Sequence, residues 1–298
     1  MRIATNSVAD SIVRQIQQLS SQQARLQNQV GTGQRIFQPE DDPSAVGRVL
    51  NLESEQRQLR QYARNANRAL ELSQATFSGL QGIKRVSDRA TEIGTLGTGG
   101  ASPDALRAYA AEVNQLIEQA LQLANSKLGH DHLFAGTAVD APPFTVSRDV
   151  QGRAATFAYA GNDARTAIPL SSSATVTPGT AGDTNRRLGD FLNHLVALRD
   201  GLTAADSAAI SAAQSDLIAT EDEFVSALGE NGGIQSRIET TQAQHEDLAA
   251  SLESLVSKET DADLPSTIVK LNQTQTAYQA ALQSAANIMR LSLLDYIR

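Results

Sequence analysis

Imidazoles stand next to a carboxylate at one place in this sequence, His130-Asp131-His132. Two histidines and an aspartate begin a metal site, but zinc wants a third and fourth ligand in tetrahedral array. The chain has no cysteine, and the remaining histidines, His194 and His245, lie far away in helical sequence. His245 falls on the apolar side of its helix and reads as a packed polar residue. Gly31-Thr32-Gly33-Gln34-Arg35-Ile36 holds two glycines of a dinucleotide fingerprint. It lacks the third, and no strand precedes it to aim N–H groups at a pyrophosphate. Glu40-Asp41-Asp42 could attract a cation, yet helix capping accounts for Asp42 and turn chemistry for its neighbours. No Gly-x-Ser-x-Gly elbow supports a nucleophilic serine. The expectation is therefore no enzyme, no cofactor and no metal, with function carried by surfaces.

Those surfaces must be built by the two chain ends. Leu264, Ile268, Leu271, Gln275, Tyr278, Leu282, Ala285 and Met289 alternate gaps of four and three, which draws one stripe along a helix. Asp263 and Pro265 mark its start. Thr5, Ala9, Ile12, Ile16, Leu19, Gln23, Leu26 and Val30 keep the same alternation at the opposite terminus. The two ends are expected to pair, and the pair to pack against copies of itself. Alanines and the seam glutamines Gln23 and Gln275 make each seam thin, because burial stabilises by roughly 25 cal/mol per Å² and small side chains offer little area. A lone helical hairpin closing an ordinary bundle is the plainer alternative.

Composition agrees with long helices. Aromatic residues make up 4% of the 298 residues and tryptophan is absent, which leaves little for a thick mixed core. A net charge of -8 argues against nucleic acid, since phosphate binding needs concentrated Lys and Arg. No run reaches the length of a membrane span. The start, Met1 to Ser7, lacks the apolar core of a cleaved signal, so any export is expected to bypass the general signal-peptide route. Arg48, Arg57, Arg60, Arg64 and Arg68 follow one another on one helix while acids gather later, as at Glu221-Asp222-Glu223. A solvated face is the usual meaning of such a run; complementary faces between subunits are the sharper one.

Along the chain, Gly31 to Pro43 forms an ordered turn region, after which Asp42 caps and Pro43 opens a long helix. Gly94 to Gly100 are expected to end it. Ser102 and Pro103 start a third helix. Short runs at Phe144 to Ser147, Ala154 to Tyr159 and Ala174 to Thr177, divided by Pro and Gly, read as a small β-rich insertion. Helical pattern returns near Phe191, a further helix covers about Ala204 to Leu228, Gly229 to Gly233 interrupt, and the pattern resumes from Ile234. The fold class is mainly α: a long helical rod, terminal coiled-coil helices from both chain ends, and a small β-rich inserted domain. Its domains are residues 1–42 with 264–298, residues 43–130 with 186–263, and residues 131–185.

Gln29-Val30-Gly31-Thr32-Gly33-Gln34-Arg35-Ile36, Pro39-Glu40-Asp41-Asp42-Pro43 and Tyr62-Ala63-Arg64-Asn65-Ala66-Asn67 resemble the amino-terminal region of bacterial flagellins and their relatives. Leu264-Pro265-Ser266-Thr267 through Leu293-Leu294-Asp295-Tyr296 resembles the matching carboxyl-terminal region. Met1-Arg2-Ile3, His132-Leu133-Phe134-Ala135-Gly136 and Pro143-Phe144 are similar to the junction members of that superfamily. The resemblance implies a structural flagellar subunit, exported unfolded and added at the distal tip, joining the hook-side junction protein (hook-associated protein 1) to flagellin. It implies copies arranged in a ring by head-to-tail contacts, and a cytosolic export chaperone on the C-terminal segment. It implies too that the tails order only on assembly. The expected assembly seam is Ile12, Ile16, Leu19, Leu26 and Val30 with Ile268, Leu271, Tyr278, Leu282, Met289 and Leu293. Expected subunit contacts are Arg35, Asp41, Asp42, Arg57, Arg60, Arg64 and Arg68. A short flagellin forming the filament itself, and a metal-dependent enzyme using His130 and His132, are the alternatives.

Overall fold

The computed structural model describes the backbone of residues 2–296 and the side chains of residues 10–287. Among the described residues, six helices and three two-stranded antiparallel sheets divide between two compact units, Met1–Arg57 with Leu248–Arg298, and Gln58–Asp247.

The first unit holds α1 (Arg2–Thr32), the start of α2 (Pro43–Thr98), the end of α5 (Ser207–Thr260) and α6 (Leu264–Tyr296). The two terminal helices pack against each other, as the matched seams lead one to expect. On α1 the sheltered side carries Ile12, Ile16, Leu19, Gln23, Leu26 and Val30, with Leu26 buried. On α6 it carries Thr267, Leu271, Thr274, Tyr278, Ala281 and Ala285. Both buried threonines return their hydroxyls to their own helix, Thr267 to the Asp263 carbonyl and Thr274 to the Lys270 carbonyl, each at 2.8 Å. Their polar atoms are thereby satisfied without a partner across the seam.

The second unit has a conventional core. Leu80, Ile83, Val86 and Ile93 of α2, Val113 and Ile117 of α3 (Pro103–Ala124), Leu188, Phe191, Leu195 and Leu198 of α4 (Gly182–Ala204), and Ile210, Leu217 and Phe224 of α5 form one buried cluster. Phe191 and Phe224 meet edge to face at 5.2 Å, a favoured aromatic geometry. Ser102 caps α3 by accepting the Ala105 N–H, and Pro103 follows, both as read from the sequence.

The β-rich insertion is present, and it starts earlier than the sequence suggested. A two-residue pair, β1 (Lys127–Leu128) and β2 (Asp131–His132), precedes the main hairpin of β3 (Phe144–Arg148) and β4 (Ala154–Tyr159). A last short pair, β5 (Ile168–Pro169) and β6 (Thr175–Val176), sets Ile168, Leu170 and Val176 in a cluster with Ala66, Ala69 and Ile238. A lone hairpin leaves outward backbone groups unpaired. Here two carboxamides stand in for missing strands. Asn125 accepts the Phe144 N–H and donates to the Phe144 carbonyl, both at 3.0 Å. Asn193 does the same for Phe157, at 2.9 and 3.2 Å.

Of two expectations from glycine runs, one holds and one fails. α2 ends inside the run Gly94 to Gly100, at Thr98. The earlier glycines of the run serve close approach: a Cβ on Gly97 would lie 2.8 Å from Leu202 Cδ2, and one on Gly94 3.2 Å from Gln214 Cγ. Gly229 to Gly233 interrupt nothing, because α5 runs unbroken from Ser207 to Thr260. Asn231 within that run is buried, shares a hydrogen bond with Ser73 at 3.1 Å and donates to the Pro178 carbonyl at 3.3 Å. Tertiary anchoring outweighs the roughly 1 kcal/mol that each helical glycine costs relative to alanine.

Candidate assembly surface

Residues 33 to 42 tie the start of the chain to its end. Gly33 takes a positive φ of 74°, which a side chain would strain, and so turns the backbone out of α1. The next residues then run antiparallel to the α5–α6 junction. Gln34 bridges Asp261, the Arg35 N–H donates to the Thr260 carbonyl at 2.6 Å, and the Ala262 N–H donates to the Gly33 carbonyl at 2.8 Å. Gln29 holds the Arg35 carbonyl at 2.9 Å.

Side chains close the same joint. The Arg35 guanidinium donates to Asp42 at 3.2 Å and to the Glu259 carbonyl at 2.8 Å. Glu259 in turn accepts a forked pair from Arg48, Nε to Oε1 at 3.0 Å and an Nη to Oε2 at 2.7 Å. Such a fork fits carboxylate geometry and is stronger than a single contact. Asp42 accepts the Ala45 N–H at 3.0 Å and the Ser44 hydroxyl at 2.8 Å, so it caps α2 while it holds Arg35. Donation from the Ala45 N–H, from Ser44 and from Arg35 lowers the Asp42 carboxyl to about 2. Asp41 accepts the Phe37 and Gln38 N–H groups at 3.0 and 3.1 Å, which lowers its pKa too. The Arg48 fork lowers Glu259. Arg35, Asp41 and Asp42, expected between subunits, are thus engaged within the chain's own turn. Glu259 was missed, and a partner more than 200 positions away leaves no local signal in a single sequence.

The terminal helices split the expected seam. Leu271 and Tyr278 lie on the sheltered side of α6 with the α1 residues Ile12, Ile16, Leu19, Leu26 and Val30. Ile268 and Leu282 do not; each is 44% exposed. The sheltered side therefore takes Thr267 and Ala281 in place of Ile268 and Leu282, one position around the helix, while Thr274 is buried beside a half-buried Gln275. Met289 and Leu293 lie outside the described side chains. Between Lys270 and Arg290 the sequence carries no charged residue. Asn272, Gln273, Thr276, Ala277 and Ala280 line an open groove of about 470 Å³ on the side of α6 away from that shelter.

The arginine series lies outward on α2. Arg57 approaches Glu53 at 3.6 Å, Arg64 donates to Gln61 at 2.5 Å, and Arg68 stands 3.7 Å from Asp131. Arg60 has no ion-pair partner among the described residues. Two of the acids suggested as its complement are taken: Glu221 binds Lys84 at 3.0 Å and Glu223 binds Arg187 at 3.3 Å.

His130 is exposed, whereas His132 is buried with Nδ1 3.0 Å from the Asn125 carbonyl. A carbonyl only accepts, so Nδ1 carries the proton there. Among the described residues no three His, Asp or Glu side chains gather as a metal cluster, and no helix is long and apolar enough to cross a membrane. His245 is buried and stacks on Tyr62 at 6.4 Å.

Paired terminal helices, a helical body and a small β outgrowth are flagellin-like features, and residues 3–138, a little under half of the chain, match the family model of the bacterial flagellin N-terminal helical region. Within that class the chain is similar to flagellar hook-associated proteins 3. It is 28% identical over 184 residues to flagellar hook-associated protein 3 of Salmonella typhimurium, covering 61% of this chain. That alignment spans 56% of the relative, little more than half its length. Against flagellar hook-associated protein 3 of Escherichia coli the identity is 25% over 326 positions, covering 99% of each. A solved chain from Vibrio parahaemolyticus, described as a flagellar hook-associated protein, superposes with a TM-score of 0.66 at 17% identity. It covers 74% of this chain and 100% of its own, and at that identity it speaks to fold alone.

Proposed function

We propose that this chain is a structural piece of the bacterial flagellum that joins the hook-side junction protein to the flagellin filament. Residues 1–42 with 264–298 would form the inner coiled-coil layer, residues 43–130 with 186–263 the rod, and residues 131–185 the outer part. The observation that carries this reading is the uncharged, half-finished α6. Its described side chains from Leu271 to Asn287 include no charge, yet α1 shelters only one side of it. A helix facing water normally places charge on its open side, and one that is closed by further helices does not. Copies set head to tail would supply those helices without mutual closure of the contact. Thin seams of this kind offset the entropy of ordering some 30 residues per tail only when neighbours cover the remaining faces.

Export to the distal tip, a chaperone on the C-terminal segment and a ring of copies belong to the same reading. Deletion of the gene tests it. The expected result is flagellin shed into the medium with hooks that carry no filament. Filaments of normal length would refute it, and loss of the filament protein itself would point to a flagellin instead.

A further inference from the structure

Two helices lie side by side in the second unit with opposite charge on their open faces. Residues 58–70 of α2 contain Arg60, Arg64 and Arg68 and no acid; residues 238–247 of α5 contain Glu239, Glu246 and Asp247 and no Lys or Arg. The packed sides of the two segments are Leu59, Ala66 and Ala69 on α2 and Ile238 and His245 on α5. Steps of four keep the three arginines on one stripe, and a step of seven keeps Glu239 and Glu246 on another. All five side chains belong to exposed residues. Among the described residues neither glutamate has an ion-pair partner, and the arginines reach only Gln61 and, at 3.7 Å, Asp131.

The levels of the two stripes are fixed by contacts between the helices. Tyr62 stacks on His245, and Gln242 donates to Asn67 at 2.7 Å. Arg60 therefore stands near the height of Glu246, and Arg68 near that of Glu239. At 1.5 Å per residue the stripes span roughly 12 and 10.5 Å, so they are commensurate. Adjacent helices with opposite charges would be expected to pair internally. They do not: among the described residues no ion pair joins these arginines to these glutamates. The open face of α2 is thus positive and that of α5 negative, at one height.

We infer that Arg60, Arg64 and Arg68 of one copy dock on Glu239 and Glu246 of a second copy standing parallel beside it. The inference rests on the self-assembly proposed above and names the partner surface. Charge complementarity selects a second copy over other occupants, since the acidic stripe needed is carried by the chain itself at the matching height. The contact is heterologous: each copy offers one face and receives on the other, which continues a row and does not close a pair. Exposed ion pairs are weak singly and screened by salt, so the contact sets register and partner orientation more than affinity. Asp131 competes for Arg68 and leaves Arg60 and Arg64 as the more available cations.

The sequence has no cysteine, so single cysteines can be placed at will. Full-length copies carrying Gln61→Cys are mixed with copies carrying Ala243→Cys and treated with a short bismaleimide. The expected result is cross-linking of unlike copies in excess over like copies, on the order of tenfold at low salt and falling at high salt. Reversal by R60E, R64E and R68E together should abolish the excess, and a partner bearing E239R and E246R should restore it. All five positions are exposed, so unchanged helicity and melting temperature separate a lost contact from a lost fold. No excess of unlike pairs, or no rescue by the double reversal, would overturn the inference. The same cysteine copies in assembled flagella distinguish its failure from that of the functional reading. Incorporation without this cross-link sinks only the docking surface, whereas absence from flagella sinks the junction role.

Discussion

Arg48 and Glu259 meet as a forked ion pair with contacts of 3.0 and 2.7 Å, 211 positions apart in sequence. The pair fastens the start of α2 to the end of α5 where both terminal helices leave them. Arg35 donates to the Glu259 backbone carbonyl and to the Asp42 side chain, so one joint links the turn after α1, the start of α2 and the end of α5.

Acid should open that joint. Asp42 sits at about 2 in the folded chain against an ordinary 3.8, and Glu259 and Asp41 are lowered as well. A lowered carboxyl contributes stability that is complete above its unfolded value and is lost as pH falls through its folded value. The joint should therefore hold at neutral pH and loosen from about pH 4 downward, toward 2 for Asp42. Hydrogen exchange of the Arg35 and Ala262 amides reports it directly. Their protection should fall over that range in the native chain, and should be low already at pH 7 in Glu259→Gln with Asp42→Asn. Protection independent of pH would show that the backbone bridge alone holds the joint.

Asn125 and Asn193 should matter out of proportion to their size. Each satisfies both outward backbone groups of one strand residue, Phe144 and Phe157, whose side chains are buried. Removing one partner of a sheltered hydrogen bond costs about 1–3 kcal/mol. Asn193→Ala and Asn125→Ala should each lower stability by that amount in denaturant titrations, while Asn67→Ala, at an exposed position, should change it little. Equal small effects at all three would remove the stand-in role.

Two glycine runs should respond in opposite ways. Gly97→Val drives its side chain into Leu202, whose Cδ2 is already 2.8 Å from the first added atom, and overpacking of this kind costs about 1–3 kcal/mol. Gly229→Ala and Gly233→Ala meet nothing within 4 Å inside a continuous helix, and each should stabilise by about 0.5–1 kcal/mol. Thermal unfolding of the three variants checks the signs. A loss of stability at Gly233→Ala would mean that α5 needs its glycines for bending.

These runs also show where a single sequence is informative. Period and capping are local, so the long helices, the Asp42 and Ser102 caps and the β3–β4 hairpin were legible from residues a few positions apart. Glycine is ambiguous because the same absence of Cβ serves a chain break and a close helix contact. Only the neighbour, Leu202 for Gly97 or Pro178 for the segment around Asn231, decides which. The Arg48–Glu259 fork and the Asn125 and Asn193 stand-ins join residues by folding alone and carry no local pattern. On α6 the periodicity names the helix side, where Leu271, Gln275, Tyr278 and Ala285 fall as read, but it misses by one position at Thr267 and Leu282: Thr267, its hydroxyl satisfied by its own helix, is buried where an apolar count would rank Ile268, and Leu282 is left exposed.

That one-position offset yields the sharpest test of assembly. Tyr278 lies on the side of α6 that α1 shelters, while Leu282 is 44% exposed and points elsewhere. Leu282→Asp should leave the isolated chain folded, because the new carboxylate stays in water. If further helices cover this face in the flagellum, the charge would be buried without a partner there, which is strongly unfavourable. Incorporation should then fail, with flagellin shed and motility lost, whereas Leu282→Met should assemble normally. Tyr278→Asp should instead disturb the α1–α6 contact in the free chain, seen as loss of helicity before any assembly. Normal filaments from Leu282→Asp would mean that the open face of α6 faces solvent in the finished structure, and the uncharged stretch would need another cause.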